Sequence, residues 1–110
     1  MNEQIKAPTE KFSEEIKDMF SNLRQLIFDS TSAEIDEVLW ARLPSYNVGD
    51  KFVRLIPFGD HINVEATAIL NHKDELSGFK ITPKGMLQIF VKQEIPSEIL
   101  LQIFKETLGE

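Results

Sequence analysis

The sequence predicts an α+β fold: a two-layer sandwich in which an antiparallel sheet of four to five strands carries helices on one face. Three observations carry this. The apolar period is helical at both ends of the chain and two-residue in the middle. The links between the middle strands are short, and short links force antiparallel pairing. The few helices predicted cannot cover both faces of such a sheet, so they share one. The 110 residues, 42% hydrophobic and 27% charged, suit one domain with its own core.

Residues 1–10 are polar, contain Pro8 and read as a frayed tail, which leaves 11–110 as the domain. Phe12, Ile16, Met19, Phe20, Leu23 and Ile27 form one apolar stripe, predicting a helix of about four turns. Ser13 is its N-cap, and Glu14 and Glu15 lie in the first turn, where the helix dipole favours acids. Thr31 to Glu34 has the spacing of a capping box and predicts a short helical turn. From residue 38 the period becomes two. Val38–Leu43 reads as a strand that Pro44 stops or places at an edge. Asn47-Val48-Gly49-Asp50 is a turn, 51–57 a second strand, Gly59-Asp60 the centre of a tight hairpin, and 62–66 a third strand. Ile69 to Leu76 suggests a short helix closed by Gly78, residues 82–85 a turn, and 86–91 a fourth strand. Pro96 opens an amphipathic helix ending at Leu108.

Alternation along the strands separates two faces. Leu39, Ala41, Leu43, Val53, Leu55, Ile62, Val64, Leu87 and Ile89 should face the helices. The opposite, open face should carry Trp40, Arg42, Phe52, Arg54, His61, Asn63, Glu65 and Gln88. Aromatics mixed with arginine suit a docking surface for a protein partner. If partly roofed, the same face could hold an anionic small molecule through Arg42, Arg54 and His61.

Other chemistries have less to stand on. The chain has no cysteine, so disulfides, thiolate metal sites and thiol catalysis are excluded. No phosphate-binding loop, dinucleotide fingerprint or nucleophile elbow is present, and no catalytic residues are assigned. Glu14, Glu15 and Asp18 lie together on the first helix, with Glu14 and Asp18 at i, i+4, and could hold a hard cation weakly. His61 and Asn63, about 7 Å apart along a strand, are a second pair within reach of one ion. The net charge of −6 is unevenly spread: residues 1–37 carry −5, 38–92 carry +2 and 93–110 carry −3. No basic stripe favours nucleic acid. No apolar run reaches the roughly 18 residues of a membrane span, and the start has no secretory pattern, so the expected location is the cytoplasm.

A resemblance adds to this reading. Leu43-Pro44-Ser45-Tyr46, then Gly49-Asp50-Lys51-Phe52-Val53 and Asp60-His61-Ile62-Asn63, resemble the YdhG-like family of small bacterial domains. Gly78-Phe79-Lys80, Lys84 to Ile89 and Ile95-Pro96 are similar as well, so the resemblance spans about residues 12–108. It implies a two-layer sandwich with an antiparallel sheet. One branch of the family is described as a frataxin-like iron chaperone serving iron–sulfur cluster assembly. Frataxins use acids on and after the first helix for iron and a Trp-bearing sheet face for partners. By that analogy Glu14, Glu15, Asp18, Glu34, Asp36 and Glu37 would hold Fe²⁺ loosely, and the Trp40 face would dock a partner. The expectation is thus a non-catalytic binding module, and its rival is a binder of, or enzyme on, a small anion.

Overall fold

The computed structural model describes residues 11–109; the tail assigned to residues 1–10 lies outside them. The elements run α1 (Glu14–Asp29), β1 (Asp36–Trp40), β2 (Leu43–Val48), β3 (Lys51–Pro57) and β4 (His61–Glu65). A 3-10 segment (Thr67–Leu76), β5 (Lys80–Ile81), β6 (Leu87–Phe90) and α2 (Ser97–Leu108) complete the chain. The six strands form one antiparallel sheet in the order β1-β2-β3-β4-β6-β5. The α+β class and the antiparallel sheet are as the sequence predicts, with more strands than it announces.

Both helices follow from their apolar stripes. In α1, Ile16, Met19, Phe20, Leu23 and Ile27 are buried, and the Ser13 hydroxyl accepts from the Ile16 N–H at 3.3 Å as N-cap. In α2, Leu100, Ile103, Phe104 and Leu108 are buried. These meet one sheet face made of Tyr46, Val53, Leu55, Ile62, Val64, Leu87 and Ile89. Each large aliphatic side chain so removed from water contributes about 1.5–3 kcal/mol, which makes this layer the source of most of the stability. Two side-chain bonds tie the helices' ends in place. The Thr31 hydroxyl donates to the Gly109 carbonyl at 2.8 Å, and the Thr107 hydroxyl accepts from the Ala68 N–H at 3.2 Å.

Four local expectations are corrected. No helical turn follows Thr31, because its hydroxyl is engaged by Gly109 and by the Ala33 N–H, and an extended chain leads into β1. The strand read as Val38–Leu43 is two strands joined at Ala41-Arg42. Both residues have positive φ, 51° and 69°, the hallmark of a type I′ hairpin turn. Arg42 therefore sits in the turn rather than on the open face, Ala41 is exposed there, and Leu43 lies opposite Trp40 rather than under the helices. Pro44 does not stop the chain. The Gly49-Asp50 turn closes on the pair Val48–Lys51, so the backbone of Pro44 is directed at β3, and the β3 ladder ends one residue away at Ser45. The short helix is a 3-10 segment, kinked at His72 (φ −122°, ψ 21°). There the His72 ring bridges Glu75 (Nδ1, 2.6 Å) and Glu106 of α2 (Nε2, 2.9 Å). Those two carboxylates, Glu75 first, hold the imidazole above its ordinary pKa.

Neither Ala nor Arg is at ease with positive φ, and each such residue costs on the order of 1 kcal/mol or more. Replacing the pair by the preferred residues, Ala41→Asn with Arg42→Gly, should therefore stabilise the domain by about 1–2 kcal/mol. Thermal unfolding should show Tm rising by roughly 4–8 °C for each kcal/mol gained. An unchanged or lower Tm would mean that this hairpin is not left-handed in solution.

Candidate open-face site

The face away from the helices is built by the other alternation of the same strands. One row runs Val38, Ser45, Arg54, Glu65 across β1 to β4, and another runs Ile56, Asn63, Gln88, Lys80 across β3, β4, β6 and β5. Trp40 pairs with Leu43 at one end, and His61 with Phe90 at the other. Of the residues predicted for this face, Trp40, Phe52, Arg54, His61, Asn63, Glu65 and Gln88 lie on it. Arg42 does not.

The face is organised by two aromatic sandwiches. The Arg54 guanidinium lies 3.9 Å from the Trp40 ring centroid and 3.8 Å from that of Phe52. It also reaches Glu65, directly opposite on β4, at 3.5 Å. Stacking on two rings confines the guanidinium and strips much of its water, the setting in which a cation–π contact is strongest. The second sandwich holds His61 between Phe58 (4.6 Å between centroids, planes at 10°) and Phe90 (4.8 Å, 30°). The Asp60 carboxylate meets His61 Nδ1 at 2.7 Å. Both side chains are thus held upright by aromatic walls rather than left to solvent.

Two polar atoms on this face are buried with no hydrogen-bond partner: Arg54 Nε and Asn63 Oδ1. One is a donor and the other an acceptor, on neighbouring strands, and each such group costs about 1–3 kcal/mol if left unmet. Around them the surface is apolar. Trp40 is 54% exposed, Phe58 42% and Val38 36%. Half-buried Leu43, Ile56 and Phe90 continue the patch. Phe58 was not among the predicted site residues. Its signal was the register of the Gly59-Asp60 hairpin, whose Phe58 N–H donates to the His61 carbonyl at 2.8 Å and brings the two rings together.

Beneath the β1–β2 hairpin lies a charged cluster that the sequence reading did not anticipate. Arg24 of α1 forms a two-pronged pair with Glu37 of β1, through Nε and through NH2 to Oε1 at 2.9 Å. The guanidinium also stacks on Phe28, 4.8 Å from its centroid, and Phe28 meets Tyr46 edge-on at 5.9 Å. Burial, the largest single influence, opposes ionisation of Glu37, but the Arg24 hydrogen bonds, the nearby Tyr46 hydroxyl and the Arg24 charge together hold the carboxyl below its usual range. Burial, and then the Glu37 charge, push the Tyr46 phenol up, so it stays protonated. Its hydroxyl sits beside this pair without a hydrogen bond of good geometry.

The acids proposed for iron fall in separate places. Glu14, Glu15 and Asp18 are exposed on α1, with Glu14 3.8 Å from Lys17. Glu34 and Asp36 are exposed along the β1 edge, and Glu37 is committed to Arg24. Among the described residues no three His, Asp or Glu side chains form a group that could hold a metal ion. Arg42, Arg54 and His61 do not converge either: the first is in a turn and the others stand in different sandwiches. A shallow groove of about 180 Å³ borders the face at Phe52, Glu65, Leu70 and Lys84, and a neighbouring one of about 420 Å³ shares Leu70 and Lys84. Neither is lined by those three residues. No helix among the described residues is long and apolar enough to cross a membrane. No family model, curated protein or solved structure matches the chain.

Proposed function

We propose that this domain is a non-catalytic binding module that docks a protein partner on its open sheet face. The observation that carries the reading is the Arg54 sandwich. A guanidinium held between Trp40 and Phe52 is pre-ordered, so docking loses little side-chain entropy there. Arg and Trp are also the residues that most often dominate binding energy at protein interfaces. The exposed Trp40 and Phe58 supply apolar area at either end. A small-anion reading has less support, because Arg42, Arg54 and His61 stand apart, and Arg54 and His61 are already engaged by Glu65 and Asp60. The resemblance to the YdhG-like family points to the same class of protein, and through one of its branches to iron–sulfur assembly as the setting.

In cells, a benzoylphenylalanine photo-crosslinker at Phe58 should trap a discrete adduct, and one at Asn22, exposed on α1, should not. Arg54→Glu should abolish the Phe58 adduct while leaving the fold intact by circular dichroism. Equal adducts from both positions, or a Phe58 adduct indifferent to Arg54→Glu, would count against the face. Iron carriage is a narrower proposal that rests on the family resemblance. With no three-ligand group among the described residues to hold it, a cargo Fe²⁺ would keep most of its waters and bind through one or two carboxylates. In an anaerobic Fe²⁺ titration followed by amide NMR, broadening confined to 14–18 and 34–37 would support it. No localised broadening at millimolar iron would remove it.

A further inference from the structure

Among the described residues the sheet ends at β1, and no other segment pairs with that edge. A two-residue turn closes on a hydrogen-bonded pair, here Trp40 with Leu43, and such pairs alternate along the ladder. Trp40, Val38 and Asp36 therefore direct their backbone groups to β2, while Glu37 and Leu39 direct theirs to the free edge. Proteins usually blunt such an edge with proline, lysine, a bulge or a covering segment. β1 carries the acids Asp36 and Glu37 but neither proline nor lysine, and its five pairs to β2 run without a bulge. No described strand lies beyond it. The opposite edge, β5, is only two residues long and carries Lys80.

We propose that β1 pairs antiparallel with the same strand of a second copy of this chain, about a two-fold axis through Val38. Each edge then offers two N–H and two C=O groups, from Glu37 and Leu39. In this register Glu37 lies opposite the partner's Leu39 and exchanges both hydrogen bonds with it, so the backbone is self-complementary. The charges are self-complementary too. Asp36 meets the partner's Trp40, which carries a stacked Arg54. Two residues before the strand, Glu34 comes beside the end of the partner's hairpin, where the long Arg42 side chain stands in the turn. No like charges face each other, and Glu37 is already neutralised by Arg24. Among the described residues Glu34, Asp36 and Arg42 have no ion-pair partner within their own chain. The strained turn fits this role. Glycine would be easier at φ 69°, yet the position holds an arginine, whose cation stands at the end of the edge. The inference does not rest on the docking reading, since the ladder uses the strand's edge and leaves most of the face free.

A five-residue edge is small beside the roughly 1,000 Å² of a stable interface, so the association should be weak, with Kd on the order of 0.1 mM. Sedimentation velocity of the full chain across that range should show a monomer–dimer equilibrium. Val38→Lys sets two ammonium groups at the closest approach of the ladder and should weaken it by about tenfold or more. Glu34→Arg should weaken it a few-fold, and Glu34→Arg with Arg42→Glu should restore it. Phe58→Ser, far from the edge, should leave it unchanged. Amide exchange gives an independent reading: protection of the Glu37 and Leu39 N–H groups should rise with concentration while that of Val38 stays constant. A monomer at every concentration, or a dimer indifferent to Val38→Lys, would overturn the proposal. So would Glu37 and Leu39 amides already protected in dilute monomer, since another segment of the chain would then occupy the edge.

Discussion

The open face depends on how one hairpin is held against one helix. β1 lies at the edge of the sheet and brings only the partly buried Leu39 to the core, while β2 contributes the fully buried Tyr46. What fastens β1 is the two-pronged pair between Arg24 and Glu37, with Phe28 and Tyr46 packed around it. A partly buried ion pair is not strongly stabilising by its existence, but breaking it leaves an uncompensated charge, at a cost of several kcal/mol when burial is deep. The folded pKa of Glu37 is depressed. Its contribution is therefore present above the ordinary carboxylate value and is lost as pH falls through the folded value.

That fastening matters because the hairpin places Trp40. Its ring forms one wall of the Arg54 sandwich, and the other wall, Phe52, belongs to β3. A loosened hairpin would remove half of the aromatic cage while the β3–β4–β6 centre of the sheet remained folded. The same hairpin carries both the docking residues and the free edge. One local structure thus couples recognition on the face to pairing at the rim, and the strained Ala41-Arg42 turn sits where the two meet.

Much of this was legible in the sequence. The stripes of α1 and α2, the Ser13 cap and the two faces of β3, β4 and β6 follow from apolar period alone, and so do Trp40 and Arg54 on a common face. What stayed hidden had physical reasons. Ala41-Arg42 carries no Gly or Asn to announce a left-handed turn, so two strands read as one and Arg42 was placed on the wrong feature. Pro44 read as a breaker because the direction of its missing N–H depends on the register of a turn six residues on. Lys80–Ile81 is too short to show a period. The pairing of Arg24 with Glu37, and of Arg54 with two rings from different strands, exists only once the chain has folded, so spacing cannot reveal it.

The central claim is that Arg24–Glu37 holds the hairpin that presents the face. Residue-resolved amide exchange of Glu37→Gln beside the parent chain tests it most directly. The account predicts that residues 36–48 lose protection, while the β4 and β6 amides directed at each other keep theirs. Uniform loss across the sheet, or none in the hairpin, would contradict it.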